Sequence, residues 1–421
     1  MNDNSTQTVS VIGLGYIGLP TAAMIASRKV KVIGVDINQH AVDTINRGRI
    51  HIIEPGLERI VQSVVSEGYL RATTKPEPAD AFLIAVPTPF KDDHEPDVSY
   101  IRAAVEAIAP VLNTGNIIIL ESTSPVGTTE QMVQWLSELR PDLKLPLQGS
   151  VESDVYVAYC PERVLPGQVV RELVENDRIV GGINHISAQK AKSVYQIFVQ
   201  GQLLETNART AEMSKLTENA FRDVNIAFAN ELSLICDKLD INVWELIQLA
   251  NHHPRVNILQ PGAGVGGHCI AVDPWFIVSK TPEQARITRT AREVNDGKPD
   301  WVAAQILAAI HSKVVAGQDE EDVTVALLGL AFKPDIDDLR ESPAMHIAEK
   351  LHAKTRARIL LCEPYIEEKP ANLAGELVSP EAAIERADVV ALLVKHSPFK
   401  EVDFSRYEDK VVIDAVGLLH K

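Results

Sequence analysis

The chain is poor in cysteine and in positive charge, and it has no long apolar run. Its 421 residues hold only four cysteines, Cys160, Cys236, Cys269 and Cys362, and no two of them show C-x-x-C spacing. That excludes a disulfide framework and a cysteine zinc site, so no metal is expected. The expectation is a reduced, cytoplasmic protein in which a special cysteine is special for its reactivity. The net charge of -16 leaves no basic excess of the kind that nucleic acid or an anionic membrane would require, although a few local arginines could still hold a small anion. No apolar stretch approaches the roughly 18 residues of a membrane span. The opening "MNDNSTQTVSVIGLG" lacks a basic stretch followed by an apolar one, so no signal peptide is expected.

The length is too great for one ordinary core and implies two or three domains. Hydrophobic residues at 45% and charged residues at 23% are proportions of a soluble globular protein. In the first half, "TVSVIGLG", "KVIGVD", "DAFLIAVPTP", "NIIILESTS" and "VYVAYCPE" read as buried parallel strands, and amphipathic helical pattern fills most of the intervals. Such alternation implies a doubly wound sheet. From Thr206 the pattern becomes helical, and Met213, Leu216, Ala220, Val224 and Ala227 share one apolar face. A second α/β block starts near Val323 with "VTVALLGLAF", "ARILLCEPY", "ADVVALLVKH" and "KVVIDAVG". It echoes the first, with Glu363 standing where Asp36 stands, but lacks a G-x-G-x-x-G. The expected fold is α/β, with two Rossmann-like doubly wound domains joined by a central helical segment. The expected boundaries are 1–205, 206–315 and 316–421.

"GLGYIG" sets Gly13, Gly15 and Gly18 in G-x-G-x-x-G spacing, with Tyr16 and Ile17 between them, directly after a strand and opening a helix. Two glycines permit a tight turn and close approach of a pyrophosphate, and the third lets helix pack on strand. Asp36, ending the next strand, would accept the adenosine ribose hydroxyls and repel a 2′-phosphate, which favours NAD over NADP. Thr88, Thr123 and Thr129 follow later strands, where ligands of open sheets bind; plain turn chemistry accounts for them equally well. Lys215, Asn219 and Arg222 form one polar stripe at i, i+4 and i+7. An ammonium beside an amide can stabilise an oxyanion, but a solvated face is the usual meaning of such spacing. Glu162 and Arg163 stand in "CPERVLPG", and His253 and Arg255 in "NHHPRVN". Arginine suits a diphosphate, whereas the plain alternative for each pair is a surface loop. Cys269 follows Gly264, Gly266 and Gly267, with Asp273 four residues on. Most such cysteines are small buried hydrophobes, yet a glycine run is a poor way to build a core.

Together these pieces resemble the UDP-glucose/GDP-mannose dehydrogenase family. The likeness runs from "VIGLGYIGLP" through "AEMSKLTENAFRD" and "GVGGHC" to "FKPDIDDLRESP". "CPERVLPG" and "HHPRVNILQPGAGVGGHCIAVDPWF" are similar to the branch acting on UDP-N-acetylhexosamines. Ala271 departs from the proline of many relatives, which touches loop rigidity and not the chemistry. The resemblance implies a four-electron oxidation of the C6 alcohol to a carboxylate using two NAD. Cys269 would capture the intermediate aldehyde, and a thioester would be hydrolysed. It further implies that Lys215 is the acid/base and oxyanion partner with Asn219 beside it. Glu162 is implicated in thioester hydrolysis, and Thr123 and Asp273 in holding water. Arg163, Val164, Arg222, His253, Arg255, Gly266 and Lys333 map to the substrate, and Arg340 to the cofactor side. A homodimer built on the central helices is implied, with Arg255 reaching the neighbouring subunit's site. Within the family, a UDP-N-acetylglucosamine or UDP-glucose 6-dehydrogenase is the alternative. Outside it, two other readings are a two-electron hydroxyacid dehydrogenase of the 6-phosphogluconate type and a non-catalytic nucleotide-sugar or NAD sensor. The hydroxyacid enzyme needs neither the thiol nor a second α/β block, and the sensor would be expected to lack the thiol or the lysine.

Overall fold

A computed structural model describes residues 8–420 apart from 92–93, 147–151, 166, 268 and 405–409. The first seven residues, where a leader would begin, lie outside it. The chain divides into two compact units, Met1–Thr217 and Glu218–Lys421.

The first unit carries eight strands: β1 (Thr8–Ile12), β2 (Lys31–Val35), β3 (Leu70–Thr73), β4 (Ala81–Ile84), β5 (Ile117–Leu120), β6 (Tyr156–Tyr159), β7 (Arg178–Gly182) and β8 (Leu203–Asn207). They lie in the order β3-β2-β1-β4-β5-β6-β7-β8, parallel except where β6 meets β7. Strand β5, "IIIL", illustrates why the sheet needs cover on both faces. Ile117 and Ile119 join the core under α1 (Gly18–Ser27), whereas Ile118 and Leu120 join the opposite core. The intervening helices are α2 (Gln39–Asn46), α3 (Leu57–Ser66), α4 (Ser99–Ile108), α5 (Thr128–Leu139), α6 (Val169–Glu175) and α7 (His185–Tyr195). Helices α1 and α3 pack in the first core; α4 and α5 cover the second with Ile101, Val105, Met132 and Leu136.

Helix α8 (Ala208–Lys238) begins in the first unit and continues in the second. There α9 (Val243–Ala250), α10 (Asp273–Lys280) and α11 (Arg286–Val315) precede a second sheet. Its strands are β9 (Thr324–Leu328), β10 (Arg358–Cys362), β11 (Glu376–Leu377), β12 (Val389–Leu392) and β13 (Val411–Asp414), with α12 (Pro343–Lys354) and α13 (Pro380–Arg386) between them. The order β11-β10-β9-β12-β13 is parallel throughout and repeats the order β3-β2-β1-β4-β5 of the first sheet. Helices α12 and α13 start at Ser342 and Ser379, whose hydroxyls accept backbone N–H groups, each with proline at the first helical position. The fold is therefore α/β with two Rossmann-like sheets and helical sequence between them.

The echo between the two blocks extends to single hydrogen bonds. Gly13 and Gly329 both have positive φ, and their N–H groups donate to Val35 and Cys362. Asp36 accepts the N–H of Leu14 at 2.9 Å, and Glu363 accepts that of Leu330 at 2.7 Å. The second acid differs in its surroundings. Glu363 is buried and also binds Nε2 of the buried His396 at 2.9 Å.

Candidate active site

The turn after β1 is built for close approach. A Cβ on Gly18 would lie 1.8 Å from the Gly13 carbonyl oxygen, so α1 can start there only without a side chain. A Cβ on Gly15 would meet no protein atom within 4 Å. Packing does not require that glycine; it leaves bare backbone beside the N-terminus of α1, which no side chain caps. Tyr16 is half exposed, and Ile17 is the residue before the helix. Asp36 uses one oxygen for Leu14 N–H and the other for Asn38 N–H, and each retains a lone pair for a hydroxyl. This chain's residues thus fit an adenine dinucleotide.

Thr88 donates to the Thr123 carbonyl at 2.5 Å, joining the loops after β4 and β5. Thr129 is fully buried, and its hydroxyl donates to Glu212 at 2.6 Å. The expected cofactor contact at Thr129 thus meets a hydroxyl hydrogen already committed within the protein. Glu212 also accepts the N–H groups of Gly127 (2.6 Å) and Thr129 (2.8 Å), which close the turn entering α5. Burial raises the Glu212 carboxyl above its usual range, although the Thr129 hydroxyl and these N–H groups pull the other way. Glu212 therefore fastens the first turns of α8 to the first sheet, one turn before Lys215. Glu162 is buried after β6; one oxygen accepts Arg163 N–H at 2.7 Å and the other meets Arg178 at 2.6 Å. Arg163 is half-buried and donates to the Asp177 carbonyl, and Val164 packs against the first core.

In the second unit, the loop between α9 and α10 carries Cys269. The other three cysteines are buried, and Cys269 is exposed. Burial pushes the Cys160 and Cys362 thiols up to about 12, so neither offers a thiolate near neutral pH. Beyond Cys269, its carbonyl accepts Asp273 N–H at 2.8 Å, and buried Asp273 accepts the Asn219 amide at 2.5 Å. Before it, Gly262 N–H donates to Asn230 at 2.9 Å. The Asn230 amide donates to Asn295, and Asn295 donates to Asp223. Asp223 pairs with buried Arg292 at 2.7 Å. The cysteine loop is thus tied at both ends to α8.

The glycines of this loop answer to protein packing. A Cβ on Gly266 would lie 2.4 Å from the Glu341 carbonyl oxygen and 2.8 Å from Phe332 and Pro343. Gly267 N–H donates to the Arg340 carbonyl. The cysteine loop therefore lies against the segment that carries Lys333 and Arg340. Arg340 is exposed and pairs with Asp338 at 2.6 Å, and Lys333 is half-buried. Arg222, His253 and Arg255 are exposed; Arg255 N–H donates to His253 at 3.3 Å.

Three domain profiles of one family match the chain in succession. They are its NAD binding domain at residues 7–199, its central domain at 209–297 and its UDP binding domain at 326–421. The chain belongs to the UDP-glucose/GDP-mannose dehydrogenase family. It is an NAD-dependent dehydrogenase of nucleotide sugars. It is 63% identical over 414 residues to a UDP-N-acetyl-D-mannosamine dehydrogenase of Campylobacter jejuni, covering 97% of this chain and 99% of that one. It is 61% identical over 417 residues to an NDP-N-acetyl-D-galactosaminuronic acid dehydrogenase of Ralstonia nicotianae, covering 99% and 97%. A solved UDP-D-ManNAc dehydrogenase from Pyrococcus horikoshii superposes with a TM-score of 0.86 at 39% identity, covering 98% of this chain and 96% of that one.

The sequence motifs do not mark Glu212, Asp223, Asn230, Asn295, Arg178 or Glu121. A signal for three of them was present. Glu212, Asp223 and Asn230 are separated by eleven and seven residues, which returns each to one face of α8. That face is buried at all three positions, and Leu216 and Ala227 lie on it as well. Polar residues in register with an apolar stripe mark buried hydrogen bonds. Met213, read as part of that stripe, is instead exposed.

Proposed function

We propose that the enzyme oxidises UDP-N-acetyl-D-mannosamine at C6 to UDP-N-acetyl-D-mannosaminuronate, consuming two NAD per sugar and passing through a thioester on Cys269. The Campylobacter jejuni relative's name and the "CPERVLPG" and cysteine-loop motifs support the substrate. The observation that carries the chemistry is the exposed Cys269 on a loop tied by Asp273 and Asn219. NAD, when bound, supplies the hydride acceptor, and the glycine turn from Gly13 to Gly18, Asp36, Thr88 and Arg340 are the residues to hold it.

The chain's own residues do the rest. Lys215 takes the C6 hydroxyl proton and then stabilises the oxyanion. Asn219 has one amide hydrogen committed to Asp273, and its second is the donor such an oxyanion requires. The Cys269 sulfur adds to the aldehyde carbon, which keeps it bound and makes its second oxidation yield an acyl group. Glu162, with Thr123 and Asp273 holding water, serves hydrolysis of that thioester. Arg163, Val164, Arg222, His253, Arg255, Gly266 and Lys333 serve the nucleotide sugar. The product is a building block for a surface polysaccharide, with the enterobacterial common antigen as destination, and the enzyme works in the cytoplasm. No described helix is long and apolar enough to cross a membrane.

The working form is a homodimer. Phe221, Phe228 and Ile235 project from α8 at seven-residue intervals and are 70%, 50% and 45% exposed. Such a stripe favours a second apolar surface over water.

The Ralstonia relative's name supports a second reading, a substrate of the N-acetylgalactosamine series. Turnover on a panel of UDP-sugars, with NADH counted per sugar and the product identified, decides between them. Two NADH per sugar and a kcat/KM for the mannosamine substrate at least about tenfold above the others is the expected result. A preference for UDP-N-acetylgalactosamine selects the second reading, and one NADH per sugar removes the four-electron chemistry.

A further inference from the structure

Strand β7 runs against its neighbour in a sheet otherwise parallel, and this reversal has a chemical result. Ala158 faces Gly182 and Tyr159 faces Gly181, so each step forward on β6 is a step back on β7. Continued past β6, that register sets Glu162 opposite Arg178. The parallel pairing of Leu120 with Tyr159 likewise sets Glu121 beside Cys160. An arginine that opens a strand thus reaches the carboxyl ends of β5 and β6, where ligands of such sheets bind.

The meeting point is buried and crowded with charge. Arg178 is 3% exposed and lies 2.6 Å from Glu162 and 3.8 Å from Glu121. Tyr195 donates to the same Glu121 oxygen at 2.7 Å, and the other Glu121 oxygen is buried with no hydrogen-bond partner. Arg178 also donates to the Cys160 sulfur at 3.9 Å, and the Tyr195 ring lies 4.9 Å from the guanidinium. One guanidinium is shared, unequally, by two carboxyls.

We propose that Arg178 is the positioning residue for Glu162, and that Glu121 modulates its grip. Ionised Glu121 competes for the guanidinium and loosens Glu162; protonated Glu121 leaves Arg178 wholly to Glu162. This rests on the reading of Glu162 in thioester hydrolysis. In that step the water oxygen bonds to the acyl carbon and its proton passes to Glu162. The carbon–sulfur bond breaks, and its electron pair returns to Cys269.

The groups facing Glu121 are Arg178, Glu162, Tyr195 and Cys160. Burial pushes the Glu121 carboxyl up to about 7 despite the opposing pull of Arg178. Burial also lifts Tyr195 well above its usual value and Cys160 to about 12. Burial works against charge on Arg178, but Glu162 and the other acids around it keep it protonated. Glu121 therefore changes its charge near neutral pH.

The test is rapid-quench mass analysis of the acyl-enzyme in the full enzyme with NAD and UDP-sugar, between about pH 5.5 and 8.5. In wild type, thioester loss is expected to slow as pH rises through about 7, because ionised Glu121 draws Arg178 away from the Glu162 it positions. Glu121→Gln should remove that fall and keep the fast value, with NAD and sugar affinities unchanged. Arg178→Lys should retain part of the rate, and Arg178→Met should lengthen the thioester lifetime at least about tenfold. Glu121→Gln is nearly isosteric and decides the matter even where Arg178→Met fails to fold. A wild-type pH profile in Glu121→Gln overturns the proposal. A wild-type hydrolysis rate in Glu162→Gln, or no acyl-enzyme in any variant, overturns the reading beneath it.

Discussion

At Cys269 the proposed chemistry depends on one atom. Serine is close in size, so Cys269→Ser should keep the loop and bind NAD and UDP-sugar nearly as the wild type does. An alcohol is far less acidic than a thiol, whose ordinary pKa is about 8.5, and so is a much weaker nucleophile at neutral pH. Net uronate formation should vanish, while a slow single turnover to aldehyde persists. Single-turnover NADH with mass analysis of protein and sugar is the measurement. Two NADH per sugar at near wild-type rate would return Cys269 to a packing role. Glu121 supplies a second residue-level test, in stability. Its folded pKa of about 7 lies above the ordinary 4.5. The folded state therefore binds the proton more tightly than the unfolded chain, and this contribution is full below about 4.5 and lost as pH rises to about 7. The amount is on the order of 3 kcal/mol. Glu121→Gln does not titrate, so its stability relative to wild type should improve by that order between about pH 5 and 8. Urea unfolding at both pH values measures it, and a constant difference would mean that Glu121 ionises there as it does in water.

Among the elements, α8 makes most of the ties to the proposed site, and its buried polar face supplies several of them. Asn230 accepts Gly262 N–H and donates to Asn295. Asn230→Ala would strand the part-buried Gly262 N–H and the buried Asn295 carbonyl, the latter costing about 1–3 kcal/mol and the former less. A loss of about 2–4 kcal/mol in urea unfolding is expected, and kcat should fall more than KM rises because the base of the cysteine loop is released. Equal stability and turnover would show that the loop does not depend on this tie. These contacts were hard to read in advance because their partners lie 32 to 85 residues apart. Local pattern revealed the glycine turn with Asp36 and the helix, whose register held the inward polar residues, but not the partners they meet. The strands divide for a similar reason. β1, β2, β4, β5 and β6 are almost wholly buried and read as apolar runs. β8 is a largely exposed edge, and β3 is half exposed, so neither has such a run. Nothing in the sequence of β7 announces its reversal.

For the whole molecule, the repeated sheet was legible because the acid ending the second strand, Asp36 or Glu363, recurs at the same place. What recurs is a hydrogen-bonding role, and burial separates the two copies. The proposed assembly rests on surface instead of core. Water-facing Phe221, Phe228 and Ile235 on α8 argue for a second copy, and Arg255 lies on an exposed loop after α9. If each site borrows Arg255 from its neighbour, two defective chains can build one working site. Arg255→Ala alone should raise the KM for sugar more than that for NAD, because a planar donor fork for phosphate or sugar is lost. Cys269→Ala alone should form no uronate. In a verified heterodimer of the two, one site receives Arg255 from the Cys269→Ala chain and Cys269 from the Arg255→Ala chain. The other site lacks both. Activity approaching half that of the wild type, with a wild-type KM for sugar, is the expected outcome. If Arg255 serves its own chain, every site carries one defect. The heterodimer would then show only the raised KM of Arg255→Ala, at half its activity. Tandem affinity tags isolate the heterodimer, and UDP-sugar titration separates the outcomes. A second variant, Phe228→Asp, should dissociate the pair in sedimentation; under borrowing the monomer should show the raised sugar KM of Arg255→Ala, whereas a self-sufficient chain should keep the wild-type KM.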